Sequence, residues 1–161
     1  MILNKEIVTS WLQEVKDPEI PVLSLIDLGV ITDIIIENNN AVCIKMTPTF
    51  AGCPAIDFMK KEVEETLTKN GLSDYSVIVS FEQQWNSNMI SEEGRRALKK
   101  FGLAPPPKHN LIFDIDIIGN AQCPYCNSND TFMHTPFGPT LCRSMHYCNN
   151  CKQAFEQFKP I

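Results

Sequence analysis

In the stretch Thr47-Pro-Thr-Phe-Ala-Gly-Cys-Pro-Ala55 the hydrophobic pattern changes period. Upstream, Val42, Ile44 and Met46 share one face of an alternating run over Ala41–Thr47, which predicts a strand. Downstream, Ile56, Met59, Val63 and Leu67 recur at helical spacing, which predicts a helix over 54–69. Pro54 suits the first helical position, where a missing N–H costs nothing, and Gly71 suits the stop. Cys53 therefore falls where a strand hands over to a helix mouth. A thiol there sits at the positive end of the helix dipole. That placement is expected to lower its pKa and favour thiolate chemistry or metal ligation.

Working outward, Ile7, Val8, Trp11, Leu12 and Val15 line one face of a helix predicted over 4–15. Asn4 is its N-cap, Leu3 and Val8 form a flanking staple, and Trp11 reads as a core anchor. Pro18 and Pro21 forbid a helix through Asp17-Pro-Glu-Ile-Pro-Val-Leu-Ser-Leu-Ile-Asp-Leu-Gly29, so this reads as an ordered loop. Its carboxylates Asp17, Glu19 and Asp27 serve turns and solvation on one reading; on another, Asp17 or Glu19 folds back beside Cys53. Val30–Ile36 pairs with Ala41–Thr47 as a hairpin through asparagines that tolerate left-handed backbone. Tyr75–Phe81 reads as a third strand. Glu92–Phe101 reads as a helix capped by Ser91 and Gly102, with Arg95 and Arg96 solvated. Trp85 reads equally as core or as a docking residue.

The proline-rich 104–110 is the expected boundary, and His109 an exposed loop residue. Phe113, Ile115 and Ile117 then suggest a short strand. Beyond it, Cys123-Pro-Tyr-Cys126 and Cys148-Asn-Asn-Cys151 form two knuckles with 21 residues between them. Such turns aim four thiolates at one ion and complete a closed tetrahedral zinc site. The same thiolates could hold an iron–sulfur cluster, and Cys142, His134 and His146 are substitutes near enough in sequence. Asn127 fits a left-handed position after the first knuckle. Thr131–Thr135 and Leu141–Tyr147 read as ribbon strands around a turn at Phe137-Gly-Pro139. A segment this poor in apolar side chains needs the metal to fold.

The fold expected is thus α+β. A front domain over 1–103 has a helix, a three-stranded sheet and two further helices. A linker follows at 104–110, then a cysteine-rich zinc ribbon over 111–161.

Composition narrows the function. The chain has 161 residues, 43% of them apolar, and a net charge of -5. Residues 1–107 hold ten Lys/Arg and fifteen Asp/Glu, and residues 108–161 hold four of each. That balance argues against nucleic acid. No run approaches the roughly 20 apolar residues of a membrane span, and the first residues lack the pattern of a signal peptide. Seven cysteines, odd in number and five of them crowded into Cys123–Cys151, point to metal in a reducing, cytoplasmic compartment rather than to disulfides.

Four motifs in order, the Asp17-Pro-Glu loop, Thr47…Gly52-Cys53-Pro54, the segment from Glu92 through GRRALKKFGLAPP, and the two-knuckle tail, resemble the D (or J) components of bacterial phenylacetyl-CoA oxygenase (epoxidase) systems. The first hundred residues are similar to small iron–sulfur cluster assembly domains. The resemblance implies a place in aerobic phenylacetate degradation, beside partner subunits that carry the diiron and reductase centres. It implies a subunit not catalytic alone, which assists maturation of those centres. Cys53 would handle iron or a cluster transiently, with Asp17, Glu19 and Thr47 shaping its loop, and the ribbon would hold structural zinc. An integral structural subunit and a freestanding Cys53 thiol enzyme are the alternatives. The implied partners are oxygenase subunits; a homodimer is left open, and neither nucleic acid nor membrane is expected. Relatives often carry a cysteine near the C-terminus, where this chain has Pro160.

Overall fold

The computed structural model describes residues 2–109 and 119–160. It is mixed α and β, and it divides into two compact units between Trp85 and Asn86.

The front unit begins with α1 (Lys5–Leu12), capped by Asn4, whose side chain accepts from Ile7 N–H at 2.9 Å. Val8, Leu12 and Val15 are buried, whereas Trp11 is only half-buried and is not the anchor expected. The loop that follows contains a single helical turn, α2 (Leu25–Leu28), that the prolines conceal in the sequence. Ser24 caps it and Gly29, at φ 79°, ends it in the left-handed conformation open to glycine.

Strands β1 (Ile31–Ile36) and β2 (Val42–Met46) pair antiparallel around Asn40, which takes φ 64° in the turn. The chain then crosses through α3 (Ile56–Lys69) to β3 (Tyr75–Val79), which lies parallel to β2. The sheet order is β1-β2-β3. Val42, Ile44 and Met46 of the central strand and Met59, Val63 and Leu67 of α3 are all buried. The alternation and the helical stripe seen in the sequence thus define one shared core. Trp85 belongs to that core: it is 2% exposed and donates its indole N–H to the Leu28 carbonyl at 2.9 Å.

The back unit holds a 3₁₀ turn (Ser87–Met89), α4 (Glu92–Phe101), β4 (Leu103–Ala104), β5 (Thr131–Thr135), β6 (Arg143–Cys148) and β7 (Ala154–Phe158). Its sheet order is β4-β7-β6-β5. Helix α4 has the expected bounds and caps, with Ser91 accepting from Gly94 N–H at 2.9 Å. It belongs to this unit rather than to the front, because β4, directly after Gly102, pairs with β7. The compact units therefore part some twenty residues before the prolines expected to divide them. The strand expected over 113–117 lies outside the described residues.

Two expected surface residues are tied down here. The Arg95 guanidinium donates to the carbonyls of Pro106 and, at 2.9 Å, Ser87. His109 is half-buried: its ring nitrogen meets the Ser87 hydroxyl at 3.1 Å, and its backbone exchanges bonds with the Asn88 amide. Arg95 thus serves backbone carbonyls on either side of α4, and His109 is held by the Ser87 and Asn88 side chains. Arg96, by contrast, is exposed as expected and pairs with Glu93.

Candidate functional site

Cys53 sits in the loop leaving the carboxyl end of β2, just ahead of α3. Crossover loops at the ends of parallel strands commonly carry ligand sites. Bonds at Met46 and Thr47 anchor the start of that loop, and Cys53 N–H donates to the Phe50 carbonyl at 3.2 Å within it. Thr47 N–H donates to the Val30 carbonyl at 2.8 Å, and Ser80 N–H to Met46 at 2.8 Å. The buried Thr47 hydroxyl donates to the Gln83 carbonyl at 2.9 Å. Thr47 is therefore engaged with backbone and fastens the loop. Gly52, at φ 81°, turns it where an L side chain would be strained.

The Asp17 loop is equally well braced. Asp17 Oδ1 accepts from Glu19 N–H at 2.8 Å and from Ile20 N–H at 2.9 Å. Asp17 N–H donates to Leu23, and Lys16 bridges to Ser24. This bracing brings Asp17 and Glu19 within electrostatic reach of Cys53, which is itself half-buried.

The helix-mouth reading of its pKa is overturned. Burial pushes the Cys53 thiol above its ordinary value, and the charges of Asp17 and Glu19 push it further. The backbone N–H groups of Ala55 and Ile56 pull the other way and are outweighed. Helix α3 starts only at Ile56, with Ala55 at its cap, so the thiol lies ahead of the first turn and meets its leading N–H groups, whose pull is smaller than that of burial and the two carboxylates together. At neutral pH Cys53 is a protonated thiol under the influence of two negative charges. The surroundings that hold the proton also favour a cation in its place.

The back unit gathers sulfur differently. Cys123, Cys126, Cys148 and Cys151 come from two separate turns, yet their sulfur atoms all lie within 4.8 Å of one another. Cys123 and Cys151 are 3.7 Å apart, Cys126 and Cys148 3.6 Å. A tetrahedron of Zn–S bonds near 2.3 Å has edges of about 3.8 Å, so the set fits one such ion. Both knuckles close by the same bond, Asn127 N–H to the Cys123 carbonyl at 2.9 Å and Lys152 N–H to Cys148 at 3.0 Å. Each closing residue takes φ 60°. Asn127 signals this in the sequence; Lys152 does not, and adopts it because the second knuckle repeats the first.

Four thiols packed this closely resist ionising together. Cys126 is drawn down to about 6, first by the Asn150 amide and then by Ser128 N–H. Cys151 is pushed up to about 12 by burial and by its thiol neighbours Cys148 and Cys123. A divalent cation removes that conflict.

The proposed substitutes stand apart. Cys142 is buried, with the Thr140 hydroxyl 3.1 Å from its sulfur. His134 is exposed on β5. His146 is buried, pairs with the Ser144 hydroxyl at 2.8 Å and stacks on Phe155. Burial lowers its pKa, so it packs as a neutral ring. Among the described residues, the four cysteines are the group of metal-binding side chains close enough to share an ion, and Cys53 belongs to none. All seven cysteines are free thiols.

Comparison with known proteins agrees with this division. Residues 5–77 match the model of an iron–sulfur cluster assembly protein family, and residues 116–159 that of a PaaD zinc beta ribbon domain. A domain of unknown function from Bacillus anthracis superposes with a TM-score of 0.55 at 27% identity, covering 58% of this chain and 90% of that one. An Fe-S protein maturation auxiliary factor of Porphyromonas gingivalis is 36% identical over 91 residues, 56% of this chain and 86% of its own. An Escherichia coli protein, provisionally named as the D component of 1,2-phenylacetyl-CoA epoxidase, is 31% identical over 150 residues, 93% of this chain and 89% of its own. Since that likeness runs through both the assembly-type front and the four-cysteine ribbon, the chain belongs to the family of phenylacetyl-CoA epoxidase D components, the PaaD family.

Proposed function

We infer that this protein is a non-catalytic accessory subunit of a phenylacetyl-CoA oxygenase (epoxidase) system in aerobic phenylacetate degradation. It assists assembly of iron or iron–sulfur centres in partner subunits. The observation that carries this reading is the half-buried Cys53 thiol within electrostatic reach of Asp17, whose carboxylate two backbone N–H groups brace, and of Glu19. Iron is cargo here, not a resident cofactor. The Cys53 sulfur offers a single soft ligand, enough to hold an incoming iron briefly and too few to retain it, while Asp17 and Glu19 act on it as nearby charges rather than as ligands already gathered around one ion. Loading releases the thiol proton, and the two carboxylates offset the cation's charge. Thr47 positions the loop without touching the cargo.

The ribbon's four thiolates are assigned to structural zinc. An iron–sulfur cluster distributes its thiolates over two or more irons, whereas these four converge on a single centre. Partners are other oxygenase subunits. A thiol enzyme is disfavoured because the front unit contains no histidine to serve as base. No helix among the described residues is long and apolar enough to cross a membrane, and seven free thiols suit the cytoplasm.

The deciding measurement is the iron content of the partner oxygenase and reductase produced with wild-type or Cys53→Ala protein. Partners depleted of iron beside a folded, zinc-loaded variant are expected. Fully loaded partners would overturn the assignment.

A further inference from the structure

We propose that the groove between the last turns of α4 and the first cysteine knuckle docks an acidic segment of a partner protein that carries an aromatic or aliphatic anchor. The groove encloses about 570 Å³ and is walled by Arg96, Lys99, Lys100, Phe101, Pro124 and Tyr125. A neighbouring hollow of about 360 Å³ shares Phe101 and Tyr125 with it, so the depression runs on toward β6 and β7.

Two features of this wall have no use inside the fold. The first is exposed aromatic surface: Tyr125 is 51% and Phe101 45% accessible. Rings left this open beside cations are typical of interface anchors. The second is charge. Arg96, Lys99 and Lys100 fall three and four residues apart, on one flank of α4, and the groove lining contains no carboxylate, while Glu156 of the neighbouring hollow is paired with Arg143. Among the described residues Lys99 and Lys100 have no ion pair, and Arg96 has only the exposed Glu93, a pair of little energetic weight.

The local backbone shapes the groove. Gly102 turns at φ 91°, and a Cβ there would come within 3.3 Å of the Tyr125 hydroxyl. The Tyr125 ring thus lies directly on the C-terminal turn of α4. Because Tyr125 stands between the ligand-type thiols Cys123 and Cys126, the ion that closes the knuckle also sets the groove wall.

Charge complementarity selects the occupant. The wall is cationic with apolar rings, so it favours carboxylates flanking an apolar residue. A nucleic acid carries a charge on every nucleotide, so the chain's net charge of -5 opposes its approach more strongly than that of a peptide with a few carboxylates around an apolar anchor. A second copy could offer its acidic front unit, where residues 1–85 hold thirteen Asp/Glu and six Lys/Arg. This proposal does not depend on Cys53.

The test is fluorescence anisotropy on the full metal-loaded chain with three labelled probes. These are a glutamate-rich decapeptide with a central phenylalanine, the same peptide with lysine for glutamate, and a ten-nucleotide RNA. The acidic peptide is expected to bind with affinity that falls steeply with salt, and the lysine peptide not to bind. Lys99→Glu/Lys100→Glu and, separately, Tyr125→Ala should each weaken binding at least tenfold with metal content unchanged. Cys53→Ala should bind as wild type. The proposal fails if the acidic peptide does not bind, if the variants bind it equally, or if RNA binds more tightly. It also fails if the groove variants abolish self-association seen by sedimentation, which would make a second copy the occupant.

Discussion

The two sulfur sites of this protein are opposites in design. In the ribbon, four thiols converge to within 4.8 Å and cannot all ionise without a cation between them. In the front unit, one thiol keeps its proton because burial and two carboxylates hold it there. The first arrangement is a complete ligand set for one ion. The second leaves the fold independent of metal and the ligand set incomplete. Ligand count and local charge, not the presence of cysteine, thus separate the two sites.

The sharpest way to break that contrast is Cys148→Ser. With roughly 10 kcal/mol or more of folding free energy residing in a structural zinc site, the ribbon should lose its dispersed NMR signals and its metal, while signals of residues 2–85 persist. An intact, metal-loaded ribbon would make the four-thiol site dispensable. Asn150→Ala asks a finer question, since its amide donates to Cys126 Sγ at 3.5 Å. Removal of such an outer partner should weaken zinc affinity by ~10-fold in a chelator competition. An unchanged affinity would reduce that contact to packing.

On the front side, Asp17→Asn with Glu19→Gln should lower the Cys53 pKa by removing two charges that raise it. More thiolate at pH 7.5 should accelerate iodoacetamide alkylation a few-fold, roughly threefold or more, with the rate profile moved to lower pH. A profile moved the other way would place the carboxylates elsewhere. The smallest effect belongs to Cys53→Ala: a half-exposed loop position with no structural metal should change unfolding free energy by less than about 1 kcal/mol. A large loss would make Cys53 part of the frame.

Much of this division was legible from local pattern. The bounds of α4 follow from Ser91 and Gly102, those of β5 from its place between the knuckles ahead of the Phe137-Gly-Pro139 turn, and the left-handed turn after the first knuckle from Asn127. Two Cys-x-x-Cys pairs announce their own chemistry because each knuckle is a local structure. Other features needed partners distant in sequence. Strand β7 follows its knuckle without a turn signal. The two-residue β4 exists only because β7 lies beside it. Trp85 became core once the Leu28 carbonyl required a donor.

The sequence alone therefore determined which residue types could bind metal, the α+β character of the front and the ribbon behind it, because period, caps and cysteine spacing act over a few residues. The assembled structure decided where α4 belongs, that His146 and Cys142 are packing, and that Cys53 holds its proton. Those outcomes depend on burial and on charges brought close from far along the chain. A thiol's neighbours in space, not those in sequence, set its protonation.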